Sequence, residues 1–245
     1  MQRIKCIVAY DGTPFAGYQV QPGKRTVQLE IEKALSDIHK GDEVKITASG
    51  RTDAGVHAKG QVFHFDTGLS IPAEKWPTVL NSKLPAEIVV TSAEIVSAEF
   101  HARFSAVKKE YRYSVYRSKT TDPFKRDFAV HYPFQLNIAE MKKAAGYLIG
   151  EHDFTSFCSA KTEVEDKVRT IYSIKIEADE EEITFSYTGN GFLYNMVRIL
   201  SGTLLEVGRG KYTAEEARGM LEARDRNAAG KTAAPQGLYL WKVFY

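Results

Sequence analysis

The stretch Ser49-Gly50-Arg51-Thr52-Asp53-Ala54-Gly55-Val56-His57 lies between two runs with strand character. Upstream, Glu43 to Ala48 alternates charged residues with Val44, Ile46 and Ala48; downstream, Gln61 to Asp66 carries Val62, Phe63 and Phe65. A hairpin needs only a turn dipeptide such as Asn-Gly or Asp-Gly. Nine residues stand here instead, among them two glycines, an arginine, an aspartate and a histidine. Gly50 and Gly55 permit positive φ or a close backbone approach, so Arg51 and Asp53 can be presented side by side at the mouth of a cleft. A nearby guanidinium favours the ionised carboxylate, and a carboxylate so held is a competent nucleophile. The same residues also fit an Asx-turn, with Asp53 bonded to neighbouring backbone N–H groups. The local pattern alone leaves both readings open.

Working outward, the 245 residues suffice for one large domain or two modest ones with a substantial core. No apolar run reaches the length of a membrane span, and Met1-Gln2-Arg3-Ile4-Lys5 lacks a signal-peptide core, so no membrane partner and a cytoplasmic location are expected. Cys6 and Cys158 are isolated, which fits neither a disulfide framework nor a zinc spacing and agrees with a reducing compartment. The six histidines are scattered without a metal-ligand pattern. A net charge of +2 is too small to announce a polyanion, but the distribution suits one: between His101 and Arg126 there are eight basic residues and only two acids, Glu110 and Asp122. Lysines that blunt an exposed strand edge would give the same pattern.

Periodicity predicts the elements. Arg3 to Tyr10 reads as a strand that Asp11-Gly12-Thr13-Pro14 breaks. The loop that follows, through Phe15, Tyr18, Gln19 and Gln21 to Arg25, is long and aromatic for a connector. Thr26 is placed as the N-cap of a helix from Val27 to Lys40. Further helices are predicted over 73–84, 138–149, 192–207 and 214–223, and strands over 88–96, 107–116, 169–177, 183–188 and 238–245. His152-Asp153-Phe154 is read as the end of the third helix. The expected class is α+β: two similar lobes, 1–105 and 106–245, of mostly antiparallel sheet with helices on one side and an active-site cleft between them.

Gly50-Arg51-Thr52-Asp53-Ala54-Gly55-Val56-His57-Ala58 resembles the catalytic loop of the TruA family of tRNA pseudouridine synthases. So do Ala9-Tyr10-Asp11-Gly12-Thr13, Phe15-Ala16-Gly17-Tyr18-Gln19, Phe100-His101-Ala102-Arg103-Phe104, Lys109-Glu110-Tyr111-Arg112-Tyr113, His152 to Phe157, Gly191 to Arg198 and Gly237-Leu238-Tyr239-Leu240, so the likeness covers nearly the whole chain. The resemblance implies the pseudouridine synthase fold and an isomerase that converts uridine to pseudouridine in the anticodon arm of tRNA, at nucleotide positions 38, 39 and 40. It implies no cofactor and a homodimer.

The resemblance also assigns residues. Asp53 matches the nucleophile, adding to C1′ or taking the C2′ proton. Tyr111 matches the tyrosine that stacks on the target base and helps to remove its C5 proton. Arg198 matches the basic partner of the nucleophile, and its place among Met196, Val197, Ile199 and Leu200 itself asks for an acidic partner. Arg51 matches the residue that helps to extrude the base, and Leu238 an apolar contact beneath the uracil, although a plain core role suits Leu238 as well. Lys24, Arg25, Lys108, Lys109 and Arg112 are candidates for phosphate contacts. Two other readings share these residues: a uracil-releasing glycosidase, and an RNA-binding or RNA-chaperone module without catalysis.

Overall fold

Alternation of apolar residues dictates the first strand. β1 (Gln2–Tyr10) buries Ile4, Cys6, Val8 and Tyr10 on one face. The computed structural model describes residues 1–162 and 164–245. Two units emerge, Met1–Val107 with Tyr239–Tyr245, and Lys108–Leu238. The sequence had put the division between 105 and 106 and kept the last strand with the second half.

In the first unit Thr26 caps α1 (Val27–Ile38), its hydroxyl accepting the Leu29 N–H, worth about 1 kcal/mol. β2 is only Thr47–Ala48, shorter than the predicted strand. The reason is local: the Glu32 carboxylate of α1 accepts the Ile46 N–H and pairs with Lys45, so this backbone is satisfied by a helix side chain rather than a ladder. β3 (His57–Thr67) is longer than expected and runs antiparallel to β1, Gln2 opposite Thr67 and Ile4 opposite Phe65. The predicted helix over 73–84 splits into a 3₁₀ turn, Ala73–Lys75, and α2 (Trp76–Asn81), with a proline in the first turn of α2. Trp76 is fully buried with its ring edge-on to Phe65, 5.1 Å away, which fixes the helical side of this sheet. β4 (Ile88–Val96) pairs antiparallel with β1. The C-terminal strand (Leu238–Phe244) reaches this unit in parallel, Tyr239 beside His57 and Leu240 beside Ala58.

In the second unit β5 (Lys108–Tyr116) turns Tyr111, Tyr113 and Val115 inward. The two-residue β6 (Val130–His131) lies parallel to it. α3 (Ile138–Tyr147) is capped by Asn137. His152 and Asp153 do not end that helix; they belong to β7 (Gly150–Asp153), because Gly150 at φ +115° lets the chain reverse and pair with β8 (Val168–Ala178). β9 (Glu182–Gly189) completes the antiparallel order β5, β9, β8, β7. α4 (Met196–Gly208) starts four residues later than predicted, because Asn195 sits in the left-handed region at φ +61° and a helix cannot run through it. α5 (Ala214–Ala223) carries a capping box between Thr213 and Glu216. α3 packs on α4, α5 and β8, and the Tyr187 and Ser201 hydroxyls join β9 to α4 at 2.8 Å. Both units are thus mixed, mostly antiparallel sheet with helices, the expected α+β class. No helix among the described residues is long and apolar enough to cross a membrane.

Two helical glycines differ in what surrounds them. A Cβ on Gly202 of α4 would lie 1.9 Å from the Lys231 carbonyl oxygen, whereas one on Gly219 of α5 meets nothing within 4 Å. In urea unfolding, Gly202→Ala is expected to cost roughly 1–3 kcal/mol or more, and Gly219→Ala to gain about 0.5–1 kcal/mol. Equal effects at both positions would contradict this packing.

Candidate active site

The loop that bears Asp53 is fastened on both sides. The Ser49 N–H donates to Val62 O at 2.8 Å, and the Ser49 hydroxyl donates to Gln61 Oε1 at 2.6 Å. The Gln61 amide returns a bond to Gly50 O at 2.9 Å, so one buried glutamine ties the loop's start to β3. Thr52 and Tyr10 share a hydroxyl bond of 2.8 Å. Burial pushes the Tyr10 phenol far above its ordinary range, so it stays neutral, with the bonds from Thr52 and Gln61 pulling partly back.

The segment after β1 clamps the loop's backbone. Tyr18 N–H donates to Thr52 O at 3.0 Å, and Gly55 N–H to Phe15 O at 3.4 Å. The turn closes with Val56 N–H donating to Asp53 O at 3.1 Å. Gly12 is required by space: a Cβ there would lie 2.1 Å from Val56 O. Its N–H donates to His57 Nδ1 at 3.0 Å, and an Asp11 carboxylate oxygen lies 3.2 Å from the same nitrogen. The fully buried His57 ring stacks on Tyr239 at 4.7 Å. Burial pushes the Tyr239 phenol up to about 12, with the Asp11 charge adding to it. From this frame Arg51 projects into solvent and Asp53 is half-buried.

In the second unit Tyr111 is buried with its ring edge-on to Phe192 at 5.2 Å. Arg198, in the first turn of α4, is half-buried. Its Nε donates to Ala233 O at 2.8 Å and its Nη1 to Asn195 Oδ1 at 2.9 Å, while Ala233 N–H donates to Arg198 O at 3.0 Å. The Tyr113 hydroxyl donates to the next carbonyl, Ala234 O, at 2.9 Å. Burial raises the Tyr113 pKa, and the Arg198 charge draws it partly back. Ala233 and Asn195 therefore orient the guanidinium. Leu238, 5 % exposed, follows directly after the 3₁₀ turn Pro235–Gly237.

Of the phosphate candidates, Lys24 is exposed, and Lys108, Lys109 and Arg112 are half-buried. Arg25 lies between Glu30 and Glu87 and over the Phe15 ring, and Arg112 bonds Glu110 at 2.8 Å. Among the described residues, no three His, Cys, Asp or Glu side chains are grouped to hold a metal ion.

A family model described as tRNA pseudouridine synthase matches residues 6–105 and 144–245, and the Asp53 loop lies within the first match. The chain belongs to the tRNA pseudouridine synthase family. It is 60% identical over 244 residues to tRNA pseudouridine synthase A of Bacillus subtilis (strain 168), with 99% of each chain covered. To the enzyme of that name from Bacillus pumilus (strain SAFR-032) it is 61% identical over 244 residues, again 99% of each. To that from Listeria welshimeri serovar 6b it is 59% identical over 247 residues, 100% of each. As a member of this family the synthase is an isomerase that converts uridine in tRNA to pseudouridine.

Sequence reading of the synthase missed the residues that hold the loop and the arginine: Tyr10, Gly12, Gln61, Asn195 and Ala233. Tyr10, Gly12 and Asn195 lie in the motif blocks quoted above but carried no sign of these bonds, and the partners of Gln61 and Ala233 are distant in the chain. Gly12→Ala is expected to shift the Asp53 loop and slow single-turnover pseudouridine formation on the order of 100-fold. An unchanged rate in a folded variant would show that the backbone contact is not what positions the loop.

Proposed function

We propose that the synthase acts on the anticodon arm, at nucleotide positions 38, 39 and 40, with Asp53 as its nucleophile. The observation that carries this reading is the Gly-Arg-Thr-Asp-Ala-Gly-Val-His loop, fixed by backbone bonds on both sides yet leaving Asp53 half-exposed. A carboxylate held without its own reorganisation is what a reaction at C1′ or C2′ requires. The glycosidic N1–C1′ bond breaks, the uracil turns, C5 joins C1′, and the proton lost from C5 balances the one gained at N1. Nothing is oxidised and no group leaves, so the chemistry calls for no cofactor.

The remaining roles follow from the side chains. Arg51 reaches into solvent and fills the gap left by an extruded uridine, a step that costs a few kcal/mol. Tyr111 stacks on the flipped base and assists removal of its C5 proton. Arg198, oriented by Ala233 and Asn195, supplies the cation that favours an ionised nucleophile. Leu238 gives the uracil an apolar contact, and Lys24, Arg25, Lys108, Lys109 and Arg112 serve the phosphates. The working form is a cytoplasmic homodimer, since a tRNA arm is long compared with one catalytic loop.

Unmodified tRNA incubated with the protein, then mapped by carbodiimide-dependent reverse-transcription stops, is expected to show stops at nucleotides 38 to 40 with no free uracil. Stops elsewhere, or released uracil, would refute the site or the reaction. Tyr111→Phe keeps the ring and removes the hydroxyl; it is expected to bind tRNA normally and form no product. Full activity would reduce Tyr111 to stacking alone. Sedimentation at micromolar concentration is expected to show a dimer, and a 27.5 kDa species would contradict it.

A further inference from the structure

We propose that the turn at residues 101–105 is a docking point for the RNA, with Phe104 as a stacking platform for an unpaired base and Arg103 as the contact to the adjoining phosphate. This rests on the reading of the chain as an enzyme acting on tRNA. Phe104 is 76 % exposed, yet its turn is not loose. The His101 N–H donates to Ser105 Oγ at 3.0 Å and the Ser105 N–H to His101 O at 2.9 Å. His101 Nδ1 faces the N–H groups of both Arg103 and Phe104 at 3.2 Å. Beneath, the Ala102 N–H donates to Nδ1 of the buried His64 at 3.2 Å, and its carbonyl accepts the Tyr245 hydroxyl at 2.7 Å.

One side of the Phe104 ring is backed by the His101 ring, 4.3 Å away and tilted by 29°. The exposed Arg103 places its guanidinium 5.7 Å from the same ring. The turn's backbone is thus fixed while a large apolar ring, backed on one side only, stays mostly turned to water. An aromatic ring beside an arginine suits a nucleobase with its phosphate, because every base offers a π-face and every nucleotide an anion. Charge selects the same occupant. The exposed Arg103 beside the ring carries the positive charge that a nucleotide's phosphate needs. The turn hangs from His64, seven residues beyond His57 on β3, about 23 Å along the strand. The base it would hold is therefore remote from the reacting uridine.

The test uses the full chain, an unmodified tRNA transcript, and Phe104→Ala, Phe104→Trp and Arg103→Gln. Phe104→Ala is expected to weaken tRNA binding about tenfold or more, with unchanged thermal unfolding, while Phe104→Trp binds like wild type. The extra emission of Phe104→Trp over wild type is expected to be quenched by tRNA. Arg103→Gln is expected to lower the slope of log K against log salt by about one. Wild-type affinity in Phe104→Ala with unquenched emission in Phe104→Trp would overturn the proposal. A change in sedimentation of Phe104→Ala at unchanged affinity would overturn it too, by assigning the turn to contact between copies. Wild type assayed on the same transcript separates the two readings: absence of pseudouridine there defeats the proposed function, while quenching and lost affinity still support docking.

Discussion

The Asp53 loop depends on backbone lying directly against backbone. Residues 12–18 and 49–57 approach so closely that Gly12 has no room for a Cβ beside Val56 O, and one at Gly17 would lie 3.0 Å from Thr52 O. Main chain in such contact cannot turn to water, so its polar groups must pair with each other. They do so between Tyr18 and Thr52 and between Gly55 and Phe15, while the Gly12 N–H is taken by the His57 ring nitrogen. The loop's shape is therefore set largely by main-chain bonds, with the buried Ser49, Thr52 and His57 side chains adding to them, while Arg51 and Asp53 stay accessible. On the proposed reading, a loop backbone fixed in this way lets the Asp53 carboxylate act with little reorganisation when charge develops on the sugar.

The second unit solves a related problem with a charged group. A guanidinium on the first turn of an apolar helix needs bonds that hold it in one orientation. Asn195 gives one by stopping the helix in a left-handed conformation, and Ala233 gives another from a segment that crosses α4 where Gly202 leaves space. The main-chain bond from Ala233 N–H to Arg198 O locks the two together. Side-chain orientation and packing are coupled here: the glycine that admits the segment also bears on where the arginine points.

Much of this was legible in the sequence where the signal is local. The face of β1, the Thr26 cap and the extent of α5 follow from periodicity and capping chemistry alone. What escaped depends on distant partners. β2 is short because Glu32 takes its donor, β3 begins at His57 where the C-terminal strand comes alongside, and His152 becomes strand because β8 offers it a ladder. The start of α4 was misread because Phe192 to Asn195 has helical hydrophobicity but a left-handed residue at its end. Asp53 and Arg51 stand out as candidates because motif and chemistry coincide on one loop; Gln61 and Ala233, which bond its neighbours or its proposed partner, look like any strand glutamine or loop alanine.

The central claim is that the clamped loop exists to present the Asp53 carboxylate. Asp53→Asn preserves the side chain's size and removes its charge, and single-turnover kinetics on tRNA, with affinity measured in parallel, test the claim directly. The expected result is no detectable pseudouridine at an affinity within about threefold of wild type, since phosphate contacts supply most of the binding. Near-normal turnover by the asparagine variant would contradict it.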